Sequence, residues 1–149
     1  MQLNTEFTLQ IPLDVDGHAT FVCPCCLDSF QLRSEEYNAD DLFEFWCPSC
    51  GLKNDSYVPR AVIELAKTKI LHRFIGQMKN ELRQIPNSSR TSGISVEVKT
   101  NFGKGHENLL LPDVAAFEEV ICRFCKRTYR VHPLTLFTGS YCPFCGESI

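Results

Sequence analysis

Eight of the nine cysteines in this 149-residue chain fall into four Cys-x-x-Cys pairs: Cys23/Cys26, Cys47/Cys50, Cys122/Cys125 and Cys142/Cys145. Two thiols separated by two residues can turn toward one ion from a tight turn. A second such turn supplies the other corners of a tetrahedron with metal–sulfur bonds of ~2.3 Å. Between the second Cys of one pair and the first of the next lie 20 residues in the first half and 16 in the second, the spacing of a four-cysteine zinc site. Such a site has no vacant position for water, so its chemistry is structural and not hydrolytic.

The stretch F-W-C-P-S-C-G at 45–51 also suits a thiol-disulfide redox pair,. A redox thiol of that kind sits at the start of a helix, whose dipole lowers its pKa. Cys50 is followed by the polar run G-L-K-N-D, and the four residues after Cys145 supply no helix. The metal reading is therefore favoured. Cys25, inside the run C-P-C-C, is the odd thiol and reads first as a small turn residue,. The alternative is a substitute ligand or a redox-sensitive thiol.

The chain repeats itself. L-Q-I-P from Leu9 is echoed by L-L-L-P from Leu109, DVDGHATFVCPCC by DVAAFEEVICRFC, and FWCPSCG by SYCPFCG. Phe30 and Tyr129 each lie four positions after the second Cys of an opening pair. Two separate metal sites follow, one in each of the segments 7–53 and 107–149. Both segments resemble zinc ribbons, and the two C-P-x-C-G turns are the most specific part of that resemblance. The order of ribbon, helix and ribbon is also similar to bacterial proteins known only as zinc-ribbon containing. The resemblance implies β-hairpins clamping two Zn2+, and no reaction. A rubredoxin-like iron site is a further possibility for four cysteines. The opening runs CPCCLD and CRFCKR lack the glycine that often follows such a turn, which leaves their geometry open and tells against the rubredoxin-like case.

These sites need elements to hold them. From Ser56 to Ile85 apolar residues recur at Leu71, Ile75, Met78, Leu82 and Ile85 in steps of four and three, and Val58, Val62, Ile63, Leu65, Ala66 and Ile70 widen the stripe. Only a helix places such a series on one face. Ser56 can cap it, Pro59 is tolerated in its first turn, and Pro86 disfavours helix at Ile85,. A helix over 58–85 would span ~42 Å. The expected fold is therefore a small, metal-stabilised α+β protein. Its parts are a first ribbon with an N-terminal strand at 1–55, a long amphipathic helix at 56–86, a polar linker with a strand (94–100) at 87–106, and a second ribbon at 107–149.

Composition limits the function classes. With 44% hydrophobic and 22% charged residues, the chain is neither disordered nor built of membrane spans. The first residues carry no positive charge ahead of an apolar core, so a cytoplasmic location is expected, where thiols stay reduced. Net charge is −8 over 1–56, +6 over 57–105 and −1 over 106–149. Lys67 and Arg73 on the helix, with Arg123, Lys126, Arg127 and Arg130 beside Phe124 and Tyr129, are candidates to grip a nucleic-acid backbone,. The rival expectation is a protein–protein adaptor, with partner binding or self-association through the helix stripe. No deaminase, His-Glu-x-x-His, phosphate-loop or Ser-His-Asp arrangement is present in the sequence,. The chain therefore reads as non-enzymatic, with no small-molecule substrate and no membrane partner.

Overall fold

In His18–Val22 and Ser29–Arg33, side chains of one parity, Ala19, Phe21, Phe30 and Leu32, are apolar. In Glu118–Ile121 and Thr128–Val131 the same face is marked by Val120, Tyr129 and Val131. This period of two suits strands that bury one face. The computed structural model describes residues 8–42, 44–84, 109–111 and 115–149, with the side chains of 82–84 outside the description. The expected strand at 94–100 and the end of the helix beyond 84 lie outside the described residues.

Two units emerge: Gln10–Val62 with Leu110–Ile149, and Met1–Leu9 with Ile63–Leu109. In the first, β1 (His18–Val22) pairs with β2 (Ser29–Arg33), and β3 (Glu118–Ile121) with β4 (Thr128–Val131), each as an antiparallel hairpin. The two hairpins then join through β2 and β4, where Phe30 faces Val131 and Gln31 faces Arg130. The result is one four-stranded antiparallel sheet in the order β1-β2-β4-β3. Both repeats therefore contribute to a single core of Ala19, Phe21, Phe30, Leu32, Tyr57, Tyr129, Val131 and Phe144, together with Cys23, Cys47, Cys122 and Cys142.

The repeats are arranged as a pseudo-dimer. Each second strand leads into a short helix, α1 (Ser34–Tyr37) after β2 and α3 (Pro133–Thr138) after β4. Neither helix is signalled by periodicity, because four and six residues are too few to show a 3.6-residue repeat,. Proline begins α3, where its missing N–H costs nothing,.

The long helix, α2, runs Arg60–Gln84. It starts two residues later than expected, because Val62 N–H donates to Pro59 C=O while the Ser56 hydroxyl accepts from Val58 N–H. Pro59 thus precedes the helix. Val62 and Leu65 are buried, whereas Ile63, Ile70, Leu71, Phe74 and Met78 are exposed along one face. Four members of the expected stripe, Ile63, Ile70, Leu71 and Met78, are thus not packed away. Among the described residues no helix is long and apolar enough to cross a membrane.

Candidate metal centres

Each Cys-x-x-Cys pair sits on a turn of the same construction. Leu27 N–H donates to Cys23 C=O, Gly51 to Cys47, Lys126 to Cys122 and Gly146 to Cys142, at 2.8–3.0 Å. On the far side of each turn Cys23 N–H donates to Asp28 C=O, Cys47 to Leu52, Cys122 to Arg127 and Cys142 to Glu147. The residue after the second cysteine must then adopt positive φ. Gly51 (70°) and Gly146 (75°) do so readily, and Leu27 and Lys126 do so at 63°. The missing glycines of the opening turns therefore leave the geometry intact, at a backbone cost of about 1–2 kcal/mol each.

The four turns meet in two clusters. Cys23, Cys26, Cys47 and Cys50 form one, and Cys122, Cys125, Cys142 and Cys145 the other, with the sulfurs of each within 4.8 Å of one another. Cys23 Sγ lies 3.7 Å from Cys50 Sγ, and Cys26 Sγ 3.6 Å from Cys47 Sγ. In the second cluster the Cys122–Cys145 and Cys125–Cys142 separations are both 3.6 Å. A tetrahedron with metal–sulfur bonds of ~2.3 Å has edges of about 3.8 Å, whereas a disulfide brings sulfurs to about 2.04 Å. All nine cysteines are free thiols. The donor sets thus fit one four-coordinate ion each, as zinc-ribbon-like sites do.

Electrostatics points the same way. Burial pushes the Cys47 and Cys142 thiols well above the ordinary cysteine range, against the backbone N–H groups of Cys50 and Ser49, and of Cys145 and Phe144, that favour their thiolates. Cys26 and Cys125 are raised as well, again first by burial. At Cys122 burial raises the pKa, but the N–H groups of Cys125 and Phe124 and the neighbouring thiols outweigh it and hold it at about 7. Cys23 is lowered by the corresponding groups. Four crowded thiols cannot all ionise without a counter-charge, which a divalent cation supplies. Cys47 and Cys142 are also fully buried. An attacking redox thiol needs the opposite, an accessible sulfur with a lowered pKa.

Neither a family model, a curated protein nor a solved structure matches this chain.

Cys25 lies outside the four-sulfur cluster. Its thiol donates to Asn54 Oδ1 at 3.2 Å, while Asn54 Nδ2 lies 3.8 Å from Cys23 Sγ and 3.4 Å from the Tyr57 hydroxyl. His132 likewise stands outside both clusters. Its Nε2 lies 3.0 Å from Ser29 Oγ, and its ring packs on Phe117 with centroids 4.6 Å apart.

The basic candidates separate into two groups. Arg127 reaches Asp41 Oδ2 at 2.5 Å and Glu36 at 3.7 Å, with its guanidinium over the Phe144 ring. Arg130 binds Asp14 Oδ2 at 3.0 Å and Asp16 Oδ2 at 2.9 Å, with Glu119 at 3.8 Å. Lys67 pairs with Glu64, one turn away on an exposed helix surface. Arg123 and Lys126 stand exposed on the second opening turn beside Phe124, and Arg73 is exposed on the helix. The side chains proposed to act together are thus divided between internal ion pairs and open surface.

Sequence reasoning missed the polar ties between the repeats. Asp28 Oδ2 accepts from the Ser49 hydroxyl and, at 3.0 Å, from Thr135 Oγ1. Asp28 and Arg127 occupy the same place, two positions after the second Cys of their opening pairs. Asp28 contacts the closing turn at Ser49 and the other repeat's helix at Thr135. Arg127 contacts Phe144 and Glu36 in the matching way. The repeat alignment was the available signal, since it pairs an acid with a base at one position. Asp14, Asp16 and His18 also converge, but there the Arg130 guanidinium is the cation that neutralises the carboxylates.

Proposed function

We propose that this chain is a non-catalytic binding module held together by two structural zinc ions, and that its work is protein–protein association. The observation that supports the metal reading is the pair of four-sulfur clusters with edges of 3.6–3.7 Å. Zinc suits them because it takes four thiolates tetrahedrally without redox chemistry. Iron, in a rubredoxin-like centre, is the competing occupant. Binding of structural zinc contributes on the order of 10–16 kcal/mol in small Cys/His domains, enough to hold together a sheet with so small a core. Elemental analysis of the purified protein tests this. Two zinc per chain is expected; two iron, or no metal together with disulfides, would overturn it.

Charge supports the adaptor reading over the nucleic-acid one. The unit made of residues 10–62 and 110–149 contains thirteen acidic and seven basic side chains, a net −6. Two zinc–tetrathiolate sites carry about −2 each, which takes the unit near −10. Two of its four second-repeat cations, Arg127 and Arg130, are already bound by carboxylates. Meanwhile the exposed helix face of Ile70, Leu71, Phe74 and Met78, and Phe124 at 63% exposure, offer apolar surface of the kind that partners cover,. A protein that co-purifies and is lost in a Leu71→Asp/Met78→Asp variant with unchanged zinc content supports this reading. Salt-dependent binding of DNA or RNA that disappears on reversing Arg123 and Lys126 would refute it in favour of nucleic-acid association, for which those two exposed cations are the supporting feature,.

A further inference from the structure

We infer that the two metal sites are energetically coupled, so that filling one raises the metal affinity of the other. The inference rests on the reading of both clusters as metal sites and concerns their regulation. Its basis is a reciprocal contact between the two closing turns. Trp46 N–H donates to Pro143 C=O at 3.0 Å, and Tyr141 N–H donates to Pro48 C=O at 2.8 Å. Trp46 and Tyr141 occupy the same place in the two repeats, immediately before the first Cys of the closing turn, and Pro48 and Pro143 immediately follow that Cys. Each acceptor carbonyl therefore lies within a Cys-Pro-x-Cys turn that holds two ligands of the other cluster.

The side chains repeat the exchange. A methyl group built on Gly146 would lie 2.7–3.0 Å from the Trp46 indole, and one built on Gly51 would lie 3.1 Å from the Tyr141 ring. Each aromatic ring thus lies flush on the glycine whose N–H closes the opposite metal-binding turn. Pro48, Pro143, Cys47 and Cys142 are among the fully buried side chains. The centre of the contact is therefore buried, while the half-buried Trp46 and the exposed Tyr141 form its edges, and each turn is the packing surface of the other.

Coupling follows from this construction. Both turns of a four-cysteine site must be ordered before all of their sulfurs can converge, and ordering the backbone is costly. When an ion orders Cys47–Gly51, it also fixes the carbonyl of Pro48 and the surface on which Tyr141 rests, so part of the cost of ordering Cys142–Gly146 has already been met. The reverse holds by the same contact, and linkage requires the two effects to be equal. The second tier of ties, Asp28 to Thr135 and Arg127 to Glu36, joins the opening turns to the other repeat in the same sense.

The test is an equilibrium titration of the metal-free, reduced full-length chain with Zn2+ in a competing chelator, with species counted by native mass spectrometry. Two equal, independent sites would place up to half of the molecules in the one-metal form. A tenfold coupling limits that form to about a quarter. The expected result is a one-metal population that never exceeds about a quarter. Because the two donor sets are alike, four cysteines each, a population above about a quarter would overturn a tenfold coupling. In the Trp46→Ala/Tyr141→Ala variant, which keeps all eight ligands, the one-metal form should rise toward half. A variant that keeps the wild-type distribution would overturn the assignment to this contact. Uptake of no metal at any zinc concentration would instead sink the metal reading, and the coupling with it.

Discussion

Gly146→Ala is the substitution that probes the contact between the repeats most directly. Gly146 has φ of +75°, and a methyl group at its Cα would lie 2.7 Å from Trp46 Cε2, 2.8 Å from Nε1 and 3.0 Å from Cδ2. Alanine in the left-handed region costs about 1–2 kcal/mol. Forcing a methyl group against a ring that is itself held by the Trp46–Pro143 hydrogen bond adds about 1–3 kcal/mol of overpacking. A loss of about 3 kcal/mol is expected from the two together. In a unit of this size that corresponds to a fall in Tm of about 10 °C or more.

Gly51→Ala is the internal comparison. Its φ of +70° imposes the same backbone strain, but the new methyl group would meet the Tyr141 ring at 3.1 Å, a distance that a slight tilt relieves. The expected loss is about 1–2 kcal/mol, from the backbone alone. Urea unfolding at a fixed, saturating zinc concentration measures both, because the metal contribution is then held constant. In a Trp46→Ala background the Gly146→Ala penalty should shrink to the backbone part, a non-additivity of about 1–2 kcal/mol between residues in contact. A Gly146→Ala protein within about 0.5 kcal/mol of wild type, the range of an ordinary surface substitution, or a smaller effect than Gly51→Ala, would refute the reasoning.

Three further outcomes are expected. Cys25→Ser should retain two metal ions per chain by elemental analysis and change stability by less than about 0.5 kcal/mol, since the exposed Cys25 thiol points at Asn54 and not into the cluster,; loss of one metal would make Cys25 a ligand. Arg130→Met should destabilise by about 2 kcal/mol in denaturant unfolding, because charge-assisted bonds to Asp14 and Asp16 are lost and Asp14 stays largely buried without its partner,; an unchanged midpoint would show those pairs to be energetically idle. Burial, then the nearby Arg130 charge, holds the pKa of His18 below its ordinary 6.5, with Asp14 partly offsetting them. The unfolded chain then binds more protons below pH 6.5, so this contribution is present above that pH and lost as pH falls toward the folded value,. The stability advantage of wild type over His18→Gln should therefore narrow between about pH 7.5 and about pH 5.5, by up to about 1.4 kcal/mol per pH unit; a widening gap contradicts the assignment.

Which features were legible in the sequence depends on how local their causes are. The clusters could be read because Cys-x-x-Cys spacing acts within a single turn, and the P-x-C-G sequence encodes its own positive φ at Gly51 and Gly146. The long helix was legible for the same reason, although Pro59, expected in its first turn, precedes it. What escaped was everything set by the meeting of the repeats. The β2–β4 pairing joins residues about a hundred positions apart and involves only two pairs, too few to leave a pattern in either strand. Trp46 lies on Gly146 of the other repeat, which nothing within the run F-W-C-P-S-C-G announces. The basic run Arg123–Arg130 reads as a nucleic-acid surface because the carboxylates that neutralise part of it lie far off in the chain. Asp41 is 86 positions from Arg127, and Asp14 is 116 positions from Arg130.

Duplication explains why these long-range choices are coherent. Two copies of one hairpin, placed side by side, would present the same residue to the same place on the partner, and like charges there would repel. At the position two after each opening pair the copies differ, acid at Asp28 and base at Arg127. Each has acquired a matching environment, in part from its own closing turn and in part across the junction: the hydroxyls of Ser49 and Thr135 for the one, and the Phe144 ring with Glu36 and Asp41 for the other. Swapping the two residues, as Asp28→Arg/Arg127→Asp, conserves composition and net charge. It sets a new carboxylate against Glu36 and Asp41 and removes the acceptor of two hydroxyls. If the junction is specified by these pairs, the swap should destabilise the folded, zinc-saturated protein by several kcal/mol, about what leaving buried polar groups unpaired together with like-charge contact costs. If the aromatic and glycine contacts alone specify it, the swap should be close to neutral.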